Sequence, residues 1–453
     1  MVSDSSRQMS FNQKIRLIIL LGALVCFSVF FIVGPMNMLC SQSLSNGVLI
    51  LIISLLILLF CSLFFMKWQK IKSDVVFGAF VAISAAAIAF RLYLFDAVSN
   101  DYTTFLSDWL FKMRSLSGLE PITTPIGDYN MPYLYYLFVV SKLNFNDLYM
   151  IKLLSIVFDF VLALGAVKTV SLFTKNDFTL FSIFSTVLFV PTVFLNSAYW
   201  AQCDGIYVAL SVWALYFALS KRPKTSMAFF ALAFSFKIQT IFILPIIIFL
   251  LLKGKISLKH LAVFPIVFIL TLLPSLLCGR SFYDTFSIYI SQTSSYPYLT
   301  LNCPTFWALF PSSQFENFSS AALFLAGAAC LAFGIYIYTK KDALNTKLLL
   351  DAAFIFVLLM PFFLPRMHER YFYFAEIFSV IYVFLNQKRL FVSPLICFTG
   401  YCVYSAYLFG SSLFSLSFLT IINAAVLIYV IKKFADDINL NTVQSTQTTK
   451  ECC

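Results

Sequence analysis

Apolar residues in this chain do not alternate with polar ones; they come in long runs, and short stretches between the runs hold most of the Lys and Arg. Runs of about 20 apolar residues fit helices that cross a bilayer, because every backbone N–H and C=O must find its partner inside its own segment. The pattern predicts an all-α, polytopic transmembrane helical bundle of about 13–14 membrane segments. They fall at 15–35, 47–66, 75–95, 150–171, 178–198, 204–220, 225–252, 260–278, 320–339, 348–364, 371–386, 390–408 and 412–431. The run 15–35 follows Lys14 and Arg16 and shows no small-residue cleavage site before a soluble domain, so it is expected to persist as a span. Three parts are expected: an N-terminal helix pair at 1–70, a main bundle at 71–435 and a disordered tail at 436–453.

One segment resists a simple reading. For the charged loops to alternate sides, 225–252 must leave the face that holds Lys224 and return to it before Lys253. A single helix cannot do that, but two short helices meeting near Lys237 can, because broken helices are tolerated where freed backbone lines a cavity. Lys237 and Gln239 stand there in apolar surroundings, and an ionisable residue at membrane depth points to a site unless it snorkels.

Composition sharpens this picture. With 61% hydrophobic and 11% charged residues, the chain lies far from the soluble balance of roughly a quarter charged. The net charge of +11 does not point to nucleic acid, because Lys and Arg sit in short loops between spans, as the positive-inside rule requires. That rule puts Arg7, Lys14, Arg16 and the loops Lys67–Lys72, Lys168–Lys175, Lys221–Lys224, Lys253–Lys259, Lys340–Lys347, Lys388–Arg389 and Lys432–Lys433 in the cytoplasm, with both termini, in a multi-pass cell-membrane protein. Membrane lipids are expected partners. Eleven cysteines, among them Cys26, Cys61, Cys330, Cys397 and Cys402, read as small packing residues. No spacing suggests a metal, and Cys452 and Cys453 read as a tail without a role.

The opposite face collects the loops 97–148 and 279–318, which are too long for connectors. It also takes the turn "NSAYWAQCDG" and the stretch "PRMHER", and 11 of the 20 carboxylates lie on or near it. Any chemistry is expected there. In "SNDYTTFLSDWLFKM", Asp101 and Asp108 stand seven apart and would share one face of an α-helix, either being a candidate general base. Ordinary solvated aspartates on an interfacial helix are the bland alternative. In the turn, Trp200, Gln202 and Asp204 suit sugar contact, although Asp204 is more simply read as a helix cap. Arg366 and Arg370 flank His368 and Glu369 in a pattern suited to phosphate. His260, the other histidine, begins a span on the basic side and has no expected role. No Walker loop, dinucleotide glycine pattern, zinc spacing or esterase triad is present, and no cofactor is expected.

Taken in order, "SNDYTTFLSDW", "GDYNMPYLYYL", "YWAQCDGIYV", "FKIQTIFILP" and "MHERYFY" resemble the polytopic glycosyltransferases of the GT-C class, which use polyprenyl-phosphate sugars. The nearest likeness is to bacterial proteins related to glycosylphosphatidylinositol mannosyltransferase II, over residues 88 to 375. The resemblance implies an inverting hexosyltransferase, mannosyltransferase-like, acting on the extracytoplasmic face on a glycan or lipid acceptor. It implies Asp101 as the base, with Asp108 a second candidate, and Lys237, Gln239, Arg366, His368, Glu369 and Arg370 around the donor phosphate. Tyr102, Trp109, Tyr129, Tyr133, Trp200, Gln202 and Asp204 would contact sugars. The segments 15–35 and 47–66 precede the matched region. A transporter, flippase or polymerase for lipid-linked glycans, or a noncatalytic scaffold, is the competing expectation.

Overall fold

A computed structural model of the protein describes residues 11–36, 44–292 and 296–451. Arg7, Cys452 and Cys453 lie outside the described residues. The fold is a helical bundle, and among the described residues the one strand pairing is a two-residue parallel bridge between Thr300–Leu301 and Met367–His368.

Every expected apolar run is helical, but fewer than expected span in full. Among the described residues, nine helices are long and apolar enough to cross a membrane: Asn12–Val33, Leu44–Gln69, Asp74–Tyr93, Asp147–Val170, Leu258–Leu277, Phe315–Thr339, Thr346–Phe363, Val392–Phe409 and Leu416–Thr442. Asp177–Phe189 and Pro191–Tyr199, bent by 51°, make a tenth if counted together. Asp204–Leu219, Ile238–Leu252 and Tyr373–Leu385 are shorter. The expectation of 13–14 spans is corrected because apolar composition does not reveal where a helix stops. At 1.5 Å per residue, helices of this length reach only about 20–24 Å, short of the roughly 30 Å hydrocarbon layer. The chain is a multi-pass helical membrane protein.

The break in 225–252 is present. Pro223–Phe236 ends where Lys237 turns extended, at φ −155° and ψ 131°. A short 3-10 turn, Ile238–Ile243, then leads into Leu244–Leu252. The element is a hairpin whose two ends return to one side.

That side gathers the basic loops. Lys253 donates to the carbonyls of Lys341 and Leu344 at 2.5 and 2.6 Å, and Lys168 to that of Trp68 at 3.3 Å. Arg16 bonds Asp74 at 2.5 Å, and Asp177 accepts from the backbone of Lys72 and Ser73. Arg389 pairs with Asp437 at 2.7 Å, and Ile438 is buried. The last helix, Leu416–Glu451, therefore runs on through the stretch read as a tail beginning at 436. Asn441 there donates to the carbonyl of Ala343 at 3.4 Å.

Polar side chains at helix ends and in the core fix the frame. Asn146, Asn176 and Asn345 each cap the helix that follows by accepting a backbone N–H. Arg91 and Asp159 form a fully buried ion pair at 2.8 Å, to which Ser197 donates at 2.5 Å. Lys152 donates to the carbonyls of Leu94, Phe95 and Ala97 at 2.9, 2.8 and 2.6 Å. A cation at a helix C-terminus is favourable, and here it anchors the chain just before Asp101.

Glu376 is buried, receives the Thr192 hydroxyl and presses on Gly400. A Cβ at Gly400 would stand 2.1 Å from Glu376 Oε1. Gly400→Ala should therefore overpack this contact and cost about 1–3 kcal/mol. A thermal scan in detergent checks this: Gly400→Ala should melt lower, and Gly400→Ala with Glu376→Ala should recover most of the loss.

Candidate functional site

The hairpin tip, the short helices and the loops opposite the basic end converge on one ionic cluster. Its centre is Asp204, the first residue of Asp204–Leu219 and fully buried. Lys237 Nζ reaches Asp204 Oδ1, Arg370 Nε lies 3.6 Å from Oδ2, and Asn196 Nδ2 donates to Oδ2 at 2.9 Å. The capping role expected of Asp204 is thereby corrected, because its carboxylate is committed to side chains of other elements. Lys237, 6% exposed, sits between the rings of Tyr129 and Tyr207 at 5.8 and 5.9 Å. It does not snorkel; its charge meets Asp204 inside the protein.

Asp101 lies beside this group and is buried. Its Oδ2 accepts from Trp200 Nε1 at 3.0 Å and from Gln202 Nε2 at 2.5 Å, its Oδ1 accepts from the Tyr407 hydroxyl, and Arg370 Nη1 stands 3.8 Å away. The local backbone explains how two neighbouring residues reach one oxygen. Leu195–Tyr199 is a π-helical turn, and Ala201 between Trp200 and Gln202 has φ +64°, a left-handed conformation that is strained for a residue with a Cβ. Ser99 donates to the Trp200 carbonyl at 2.7 Å, joining the two loops.

Asp108 does not share this face. Tyr102–Leu106 is a second π-helical turn, whose extra residue shifts the phase between Asp101 and Asp108 from the α-helical one. Asp108 is half exposed and pairs with Lys112 at 2.7 Å. Tyr102 lies near the charges of the Arg114–Asp147 pair. Trp109 backs the site through an edge contact with Tyr129, whose hydroxyl donates to Gln202 at 2.7 Å. Tyr133 meets Tyr129 edge-on at 4.9 Å. A Cβ at Gly127, at φ +74°, would come within 2.8 Å of the Trp109 ring, so glycine permits that packing.

The stretch 366–370 divides. Arg370 donates to Glu369 at 3.0 Å and stands 5.6 Å from the Trp200 ring, within the cluster. Arg366 has φ +63°, its N–H donates to the Leu299 carbonyl at 3.1 Å, and its guanidinium lies over Phe315 at 5.0 Å. The expected pairing of the two arginines is corrected: the turn sends them to different neighbours. Gln239 is buried two residues past Lys237, and its side-chain oxygen has no partner among the described residues. Sequence reasoning did not single out Asn196 or Tyr407. Asn196 lies within the quoted turn, but Tyr407 closes an ordinary apolar run and carries no signal among 23 tyrosines.

Burial acts strongly on the charges of this loop. It lowers the His368 pKa to about 3, with the Arg370 and Lys237 charges adding to the effect. It raises that of Glu369 against the opposing pull of Arg370. His368 is thus a neutral ring, set edge-on to Tyr296 at 4.9 Å. The cluster as a whole is a buried polar group in an apolar bundle, with carboxylates and cations interleaved.

No family model matches this chain, and no curated protein matches it.

An unfolded histidine takes up its proton near pH 6.5, whereas folded His368 does so only near 3. Between those values the unfolded state binds more protons, so this residue lowers stability as pH falls from about 6.5. His368→Gln should flatten the loss of melting temperature between pH 7 and 5. An unchanged slope would show that His368 is protonated in the folded protein.

Proposed function

We propose that the protein is an inverting membrane glycosyltransferase that moves a hexose, mannose-like, from a polyprenyl-phosphate sugar to a hydroxyl of a glycan or lipid acceptor. The observation that carries this reading is Asp101, held by Trp200, Gln202 and Tyr407 next to Arg370 among the ends of the short helices. A carboxylate fixed in this way can take a proton from an alcohol brought to it. The oxygen then attacks the sugar carbon, the bond from that carbon to the phosphate oxygen breaks, and its electron pair leaves on the polyprenyl phosphate.

Arg370 supplies the charge that the leaving phosphate needs. It stands 3.8 Å from Asp101 and 3.6 Å from Asp204, both beyond hydrogen-bond distance, so its fork can turn to an anion without breaking close contacts there. Lys237 lies in the same buried cluster, with Asp204 as its counter-ion, and adds to the positive field. The lipid character of the donor fits an apolar bundle whose shorter helices begin at the cluster. Trp200, Gln202, Tyr129 and Trp109 form the wall on which sugars would lie.

Incubation of the purified protein in lipid with polyprenyl-phosphate mannose, glucose or galactose and membrane-derived acceptors tests this. One donor should be consumed with transfer of its sugar. Asp101→Asn should lower turnover by about a hundredfold or more. Asp108→Asn should stay near wild type, because that residue pairs with Lys112 away from the cluster. Consumption of no donor, or normal turnover by Asp101→Asn, would sink the reading.

The reading also sets an orientation: the cluster on the extracytoplasmic side, and the basic loops with both termini in the cytoplasm. In a cysteine-depleted background and sealed cells, Ser117→Cys should react with an impermeant thiol reagent and Lys340→Cys should not. The reverse pattern would place the cluster in the cytoplasm, away from any donor presented outside.

A further inference from the structure

The two oxygens of Asp101 are held differently. Oδ2 receives two N–H donors from one rigid turn, Trp200 Nε1 at 3.0 Å and Gln202 Nε2 at 2.5 Å. Oδ1 receives the hydroxyl of Tyr407, which comes from the far end of the chain. Trp200 is fully buried, yet Tyr407 is 37% exposed. Its ring lies stacked on the Trp200 indole, 4.7 Å between centroids and 25° between planes. One turn earlier, Tyr404 meets the same indole edge-on at 5.0 Å, and Asn196 donates to its hydroxyl at 3.0 Å. Tyr404 is therefore fixed from below, while Tyr407 covers the indole at the mouth.

Tyr407 also sits where the helix ends. Val392–Phe409 stops at Gly410, with φ +66°, and residues 411–415 are exposed. Last turns of helices fray readily, and a χ1 rotation there meets little packing. Such a rotation would uncover an indole face and the one Asp101 oxygen that no N–H holds. An indole face beside a carboxylate oxygen is what a sugar ring with a free hydroxyl fits, the ring on the indole and the O–H on the oxygen.

We propose that Tyr407 is a positioning residue that holds the acceptor's place: its phenol makes the O–H to Asp101 Oδ1 contact, and its ring the Trp200 contact, that a carbohydrate acceptor takes over when Tyr407 swings aside. This rests on the transferase reading above and adds the acceptor subsite to it.

Two measurements on the full-length protein in lipid nanodiscs test it. The first needs no turnover: a water-soluble carbodiimide with glycine ethyl ester is applied at one fixed pH, and labelling of each carboxylate is followed by peptide mass spectrometry. Tyr407→Ala should label Asp101 about fivefold faster than wild type, as expected for loss of one hydrogen bond and its covering ring. Tyr407→Phe should fall between, and Asp108 should label equally in all three. An unchanged Asp101 rate with unchanged Asp108 overturns the proposal. If Tyr407→Ala also exposes buried Asp159, it has unfolded, and Tyr407→Phe then decides alone.

The second measurement is transfer. Tyr407→Phe should lower the acceptor KM by about threefold, because a competitor for Oδ1 is gone, and leave the donor KM in place. An unchanged acceptor KM, or an equal change in both, overturns the acceptor-subsite role without touching the general base, which stands or falls with Asp101→Asn. Absence of transfer in the wild type overturns both readings.

Discussion

Burying the Lys237 ammonium in an apolar bundle is the constraint from which the site follows. Desolvating such a group carries a penalty of several kcal/mol, and removing the partner of a buried charge typically destabilises by about 3–5 kcal/mol. The chain meets this with Asp204, whose carboxylate also faces Arg370 and Asn196. For that pair to form, the segment 225–252 has to break at Lys237 and the helix Asp204–Leu219 has to begin at its counter-ion. The turn before that helix holds a π-helical stretch and a left-handed Ala201, which aim Trp200 and Gln202 at Asp101. The Lys237–Asp204 pair thus joins the break at Lys237 to the helix start at Asp204 and the turn that precedes it.

The rest of the bundle serves as a frame for this arrangement. Arg91 and Asp159 lock the helices behind the turn, with Ser197 of that same turn as a third member. Lys152 ties down residues 94–97 and so fixes where the loop to Asp101 starts. The bridge between Thr300–Leu301 and Met367–His368 pins the loop that carries Arg370. The cluster lies where the short helices end, at Asp204, Lys237 and Arg370. In the proposed reaction this matters chemically, because charges in buried, water-poor surroundings act more strongly on a phosphate than they would at a wet surface.

The cluster sets two cations, Lys237 and Arg370, among three carboxylates, Asp101, Asp204 and Glu369, which bears on how the proposed phosphate would be held. Lys237 is fully engaged by Asp204, whereas Arg370 is shared among Glu369, Asp101 and Asp204, with its one close contact to Glu369. Arg370 is therefore the less closely paired of the two charges. Interfacial arginine pairs invite a bidentate reading, but the left-handed turn at Arg366 carries that side chain to Phe315, so that only Arg370 joins the cluster.

Much of this was legible in the sequence, for reasons that are local. Apolar runs must be helical in lipid, so the bundle could be read from composition and run length. The break at Lys237 followed from charge alternation between loops, and the basic end from the positions of Lys and Arg. What the sequence could not decide is how far each helix extends and what each polar side chain meets. Asp101 and Asp108 are the same residue type in one short stretch, and only a π-helical turn between them sends one to Trp200 and the other to Lys112. Asp204 heads a helix and reads as a cap, yet its partner is 33 residues away. Tyr407 lies 306 residues from Asp101 and looks like any tyrosine at the end of an apolar run. Lipid solvation acts on every segment separately and is written in sequence; side-chain pairing between distant segments depends on packing, and only the folded chain settles it.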